Sequence, residues 1–292
     1  MNPAFKHALI TGALRSLAAL PYGLVARSGE QLGNLLFSIP SRRKRIVMTN
    51  LGLCFPELDE AERLKLAQST FRHVIRSYLE RGIQWFGSAD DIRELMQVES
   101  AIELSDTYEQ PTIFLGFHFA AIEAACMFYS AHHPVASIYT PMSDTVTDTI
   151  ARTQRERFGT EMIPRNGSAR DILRVLKSGK PIMLASDMDF GLRDSVFVPF
   201  FGTQACTLTS VSRLAQLGRA RVVPFVADVL PGYAGYRLRI FDPLENYPSG
   251  DVSLDAVTMN QFLEARIREQ PDQYYWVHRR FKRRPEGEPG VY

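Results

Sequence analysis

Cysteine is scarce in this chain: three in 292 residues, at Cys54, Cys126 and Cys206. The count is odd and no Cys-x-x-Cys occurs. Both facts argue against a disulfide framework or a thiolate zinc site and fit a reducing compartment. An excess of charge is also lacking. Thirty-four Lys and Arg face 32 Asp and Glu, a net charge of +2, so the chain as a whole is not built to bind nucleic acid. Gly-x-Ser-x-Gly is absent, and so is His-Glu-x-x-His. The first absence disfavours a serine acyl-enzyme, and the second disfavours a zinc hydrolase, so no metal and no cofactor are expected. There is no internal repeat, low-complexity tract or evident linker.

What is present is an ordinary globular composition, 45% hydrophobic and 23% charged, which argues against disorder. Eighteen Phe and eleven Tyr supply bulky apolar surface for a core or for lipid. The length suits one large domain with helical additions at its N-terminus. The expected division is a membrane-associating region over residues 1–40 and a main domain over residues 41–292. Ala8 to Ala26 is apolar apart from Arg15 and could nearly span a bilayer. Arg15, Gly12, Pro21 and Gly23 weaken that reading, and Arg15 interrupts the apolar core a signal peptide would need. A helix lying in the membrane interface is the expectation, with a buried helix as the alternative. Two basic runs, Ser41 to Arg45 and Arg279 to Arg284, are candidate docking surfaces for anionic headgroups or an acidic carrier protein, or are simply solvated.

The periodicity predicts a long helix over Asp59 to Phe86, opened by an Asp59–Glu62 capping box. From residue 111 short apolar runs alternate with helical segments. Strands are predicted over Thr112–Phe117, Pro134–Tyr139, Pro181–Ser186, Arg221–Val229 and Tyr236–Phe241. Helices are predicted over Ala120–Tyr129, Asp144–Phe158, Ser168–Ser178 and Cys206–Leu217. This alternation implies an α/β fold with a mostly parallel central sheet flanked by helices, whose chemistry gathers at the carboxyl ends of strands.

His118 falls just after the first strong strand and before a helix. Glu123 follows five residues on. Positions i and i+5 diverge on a continuous helix, but they meet if His118 lies in the turn and Glu123 in the first helical turn. The pair then reads as a general base and the carboxylate that orients it. With no nucleophile motif, His118 would deprotonate a substrate hydroxyl that attacks directly.

Four ordered blocks add specificity: Asn50 to Glu57, Ser186 to Gly191, Ser195 to Gly202, and Val222 to Phe225. Together with His118 and Glu123 they resemble the lauroyl/myristoyl acyltransferases of lipid A biosynthesis, within the glycerolipid acyltransferase superfamily, from about Leu35 to Arg280. The resemblance implies a glycerolipid acyltransferase-like fold and catalysis by His118 and Glu123. It places one family arginine at Arg155 or Arg157 and another at Arg165, and an acidic element at Asp187 and Asp189. Ser186 stands where proline is usual and Phe190 where tyrosine is usual. Arg155, Arg165, Asp187 and Asp189 are accordingly expected to bind substrate. Phe197, Pro199, Phe200 and Phe201 are expected to line an acyl-chain pocket or to be plain core. The implied partners are an acyl carrier protein as donor, a membrane lipid as acceptor and the cytoplasmic face of a bacterial inner membrane, with no nucleic acid. Rival readings keep the chemistry and change the acceptor to another glycolipid, an ornithine lipid or an aryl-polyene pigment lipid. More distant ones are a metal-dependent hydrolase, which lacks a third ligand, and a non-catalytic lipid-binding protein.

Overall fold

The structure, a computed structural model, describes residues 2–292. Five helices come first: α1 (Pro3–Ala18), α2 (Tyr22–Ser38), α3 (Arg42–Cys54), α4 (Glu60–Phe86) and α5 (Ala89–Glu94). The α/β part follows as β1 (Met96–Ser100), β2 (Thr112–Gly116), α6 (Ile122–His132), β3 (Ala136–Tyr139), α7 (Thr145–Glu156), β4 (Glu161–Pro164), α8 (Ala169–Lys177) and β5 (Ile182–Ala185). It ends with β6 (Ser195–Phe200), β7 (Thr203–Leu208), α9 (Ser210–Gly218), β8 (Arg221–Val229), β9 (Tyr236–Ile240) and α10 (Val252–Glu269).

Seven strands form one sheet in the order β1-β9-β8-β2-β5-β3-β4. Every neighbouring pair is parallel except β8 with β9. The mostly parallel α/β architecture expected from the sequence is therefore the one observed. β2 explains the choice of a central position: all five of its residues are buried, which suits a strand covered on both faces. Ile113 and Leu115 point into one core cluster, with Leu184, Val222 and Leu263. Phe114 points into the other, with Met183, Val223, Phe225 and the helix α6 residues Ala124 and Phe128.

One predicted element is corrected. Cys206 lies in a strand, and the helix α9 begins only at Ser210. Ser195 to Leu208 folds as an antiparallel hairpin apart from the main sheet. Its two turn residues, Phe201 and Gly202, both have positive φ, at 49° and 75°. That is the turn geometry whose twist matches a two-residue hairpin. Leu208, Val211, Leu214, Ala215 and Leu217 recur at near-helical spacing across the boundary and concealed it.

The N-terminal apolar stretch is not one helix. Pro21 caps α2 and separates it from α1. Among the described residues no helix is long and apolar enough to cross a membrane. Instead α2 lies close along α4. A Cβ on Gly29 would sit 2.5 Å from the Arg76 Cα, and one on Gly33 would sit 2.7 Å from the Arg72 Cα, so only glycine permits this approach. The buried Arg76 guanidinium joins the same helices, bonding Glu30 at 2.9 Å and Glu80 at 2.6 Å. The outer faces of α1 and α2 leave Phe5, Leu9, Leu24, Leu35 and Ile39 exposed.

Candidate active site

β2 and β5 are adjacent and parallel, with Gly116 in register with Ala185. His118 and Asp187 each lie two residues beyond that pair. Both chains leave the sheet side by side at its carboxyl edge, where an α/β sheet places its functional groups. The His118 Nδ1 is 2.6 Å from Asp187 Oδ1, and the His118 backbone N–H donates to Asp187 Oδ2 at 2.9 Å. Two contacts fix the ring plane and favour a proton on Nδ1, leaving Nε2 as the basic nitrogen. Burial would raise the Asp187 carboxyl, but the His118 charge and its hydrogen bonds outweigh that and lower it. The His118 side chain is 28% exposed while that of Asp187 is fully buried, so the carboxylate supports the ring from behind.

The expected pairing of His118 with Glu123 is thus corrected. Glu123 does sit in the first turn of α6 and His118 in the turn before it. Its carboxylate turns instead to α4 and α7. Arg155 donates from Nε at 2.8 Å and from Nη2 at 2.5 Å, and the Trp85 indole N–H donates at 2.8 Å. Burial would raise this carboxyl. The Arg155 charge and hydrogen bonds, helped by Arg81 and Trp85, outweigh it and hold the group at about 2. Three of the four acceptor sites of this carboxylate are thus taken, none of them by the imidazole, and Arg155 has spent its Nε–Nη2 fork before any substrate arrives.

His118 and the Glu123–Arg155 pair line one cavity of about 450 Å³, with Asp187 behind the His118 ring. Tyr275, Ser77 and Arg81 also line it, and it extends along α6 and the strands β3, β4 and β5. On α6, Ile122, Glu123, Cys126, Met127 and Ser130 all face it, a stripe along nine residues or about 12 Å of helix. Ile138, Met162, Met183 and Leu184 supply most of the opposite wall. A largely apolar cavity with an imidazole on its lining suits an acyl chain. Cys126 is pushed up to about 12, first by burial and then by Glu123, so this thiol stays neutral and is no nucleophile.

The expected pocket residues lie elsewhere. Phe200 is fully buried against Phe201, Tyr274 and Phe281. Phe201 packs on Phe55 and Trp276. Pro199 is exposed, and Phe197 sits in β6 opposite Cys206. None of the four lines the cavity, because the hairpin packs into the core cluster that holds Ile113 and Leu115. Asp189 is not at the imidazole either. Arg283 meets it at 2.6 Å, and its own backbone N–H reaches His278 Nε2 at 3.2 Å. Burial lowers His278 to about 4, so it stays neutral. The Arg165 guanidinium lies 4.0 Å from the Phe190 ring centroid, at the rim where Phe190 lines the cavity.

The second basic run is largely internal. Arg280 is buried with bonds to Cys206 and Thr207, Arg283 is held by Asp189, and Arg284 bonds Gln204 and Glu288. The first run stays on the surface, where Arg42 and Arg45 are exposed beside Leu35 and Ile39. Among the described residues no three His, Cys, Asp or Glu side chains gather to hold a metal ion.

Sequence reading missed Arg81, Trp85 and the role of Asp187. Ser77, Arg81 and Trp85 recur at i, i+4 and i+8 on α4, so they share one helical face. That face is visible in the sequence, but beside a strong apolar stripe it reads as packing.

Residues 4–283 match the family described as bacterial lipid A biosynthesis acyltransferase. The chain is 35% identical to a lipid A biosynthesis lauroyltransferase of Escherichia coli (strain K12) over 284 residues, covering 96% of this chain and 92% of the relative. A palmitoleoyltransferase of the same organism is 32% identical with the same coverage. A myristoyltransferase from it is 28% identical over 98% of this chain and 92% of its own length.

Proposed function

Since the chain belongs to the bacterial lipid A biosynthesis acyltransferase family, we propose that it moves a fatty-acyl chain from an acyl carrier protein thioester to a hydroxyl of a lipid A precursor, with His118 as general base. One observation carries the reading: an imidazole held by a buried carboxylate lines a largely apolar cavity of about 450 Å³, room enough for an acyl chain.

The acyl chain lies in the cavity with its thioester carbonyl beside His118. Nε2 takes the proton of the acceptor hydroxyl as that oxygen attacks the carbonyl carbon. The tetrahedral intermediate collapses, the carbon–sulfur bond breaks, and the imidazolium returns the proton to the departing thiolate. Asp187 keeps the ring in the productive tautomer and balances the imidazolium charge. Neutral Cys126 takes no part, and no step requires a metal.

The protein works at the cytoplasmic face of the inner membrane as a peripheral enzyme. Residues 1–40 associate with the bilayer through the exposed apolar side chains of α1 and α2, with Arg42 and Arg45 toward anionic headgroups. The same exposed basic run gives an acidic carrier protein a complementary patch.

The test is an assay of purified protein with acyl carrier protein thioester and lipid A precursor, read by mass spectrometry, beside lipid extracts with and without the gene. Acylated precursor that vanishes in His118→Ala supports the reading. Transfer only to a different lipid would keep the chemistry and overturn the acceptor. No transfer to any lipid hydroxyl would overturn both.

A further inference from the structure

Two guanidinium groups line the cavity, Arg81 and Arg155. Arg155 gives its Nε–Nη2 fork to Glu123. Arg81 is the opposite case. Among the described residues it forms no hydrogen bond and no ion pair, and its Nε is shielded from water without a partner. Its guanidinium carbon lies 4.4 Å from the Tyr78 ring centroid and 5.5 Å from that of Trp85. Both rings are themselves anchored. Tyr78 bonds Tyr275 at 2.7 Å, the Tyr275 backbone N–H bonds the His118 carbonyl at 2.9 Å, and Trp85 bonds Glu123 at 2.8 Å. An aromatic clamp thus orients a planar cation beside the base, with its donors unspent. Keeping a partly desolvated guanidinium unpaired is costly unless a ligand supplies the acceptors.

We propose that Arg81 is a substrate-binding residue that takes a phosphate group at the cavity mouth. The planar fork matches two phosphate oxygens, which a lysine in the same place would meet only as a point charge. Arg81 therefore performs the anion binding that the sequence assigned to Arg155. The phosphate has two possible sources, the phosphodiester of the carrier's pantetheine arm or a phosphate on the acceptor sugar. The inference rests on the acyl-transfer reading.

The experiment is steady-state kinetics of the full-length protein and of Arg81→Gln and Arg81→Lys, each checked for an unchanged melting temperature. Donors are acyl-phosphopantetheine and acyl-pantetheine; acceptors are the precursor with and without its sugar phosphate. Arg81→Gln is expected to raise KM about ten- to hundredfold for whichever substrate bears the recognised phosphate, the scale of a charge-assisted contact. It should leave kcat within about twofold and abolish the preference for the phosphorylated form, while Arg81→Lys restores part of it. The substrate whose KM moves names the source. A fall in kcat at unchanged KM would overturn the proposal and assign Arg81 to the developing oxyanion. Unchanged constants, or a preference for phosphate that survives in Arg81→Gln, would overturn it as well. Absence of transfer by the wild-type protein would overturn the acyl-transfer reading itself, a result distinct from these.

Discussion

Two carboxylates each hold a basic group that lines the cavity, and they do opposite work. Asp187 leaves the end of β5 and meets an imidazole whose far nitrogen is free. Glu123 leaves the start of α6 and meets a guanidinium and an indole that consume it. Both are acidic groups whose burial cost is offset by a cation or hydrogen-bond donor. The difference is what the partner can still do. An imidazole with one nitrogen occupied is a better base at the other, whereas a guanidinium held bidentately has little left to offer. Being near the reacting centre is therefore not the same as acting on it.

The sharpest way to break this contrast is by kinetics. His118→Ala is expected to lower kcat by about 10³- to 10⁴-fold, the scale of a lost general base. Asp187→Asn should come close to it, with KM nearly unchanged, because an amide stabilises the wrong tautomer and no imidazolium. Glu123→Gln should act mainly on folding. Breaking a buried ion pair on one side costs about 3 kcal/mol or more, and denaturant unfolding would report it. Restoring stability in the double variant Glu123→Gln with Arg155→Met would confirm that the pair is a structural tie. If instead Glu123→Gln folds as well as wild type but is as inactive as Asp187→Asn, the contrast fails.

The pH dependence of stability separates the same groups. Glu123 lies below its ordinary 4.5, at about 2, so its stabilisation is complete above pH 4.5 and is lost as pH falls from there toward 2. His278 lies below its ordinary 6.5, at about 4. Folding excludes its proton, so stability falls as pH drops from 6.5 toward 4. Melting temperatures in His278→Gln should lose the slope between about pH 6.5 and 4, and those in Glu123→Gln the slope between about pH 4.5 and 2. The smallest effect belongs to Trp85→Phe, which removes one hydrogen bond to Glu123 and should cost about 1.5 kcal/mol with kcat changed less than in Asp187→Asn.

Much of the fold was legible because its signals are local. Ile113 to Gly116 and Val222 to Ala227 are continuous apolar runs, as suits doubly covered strands, and the Asp59–Glu62 capping box and Ser168 marked helix starts. The β6–β7 hairpin was hidden because its second strand runs directly into α9. His118 was legible from its place after a strand. Its partner was not, since 69 residues separate His118 from Asp187 and only the β2–β5 register joins them. The Phe197 to Phe201 run misled for a related reason: composition alone does not distinguish a lipid slot from a core. The slot is made of Met, Ile and Ala scattered over α6 and three strands.

The most direct test of the central claim is the ¹⁵N NMR spectrum of the His118 imidazole in wild type, Asp187→Asn and Glu123→Gln. The account predicts a proton on Nδ1 in the wild type, a changed tautomer balance in Asp187→Asn, and an unchanged spectrum in Glu123→Gln. A spectrum that moves with Glu123 and stays fixed on substitution of Asp187 would contradict it.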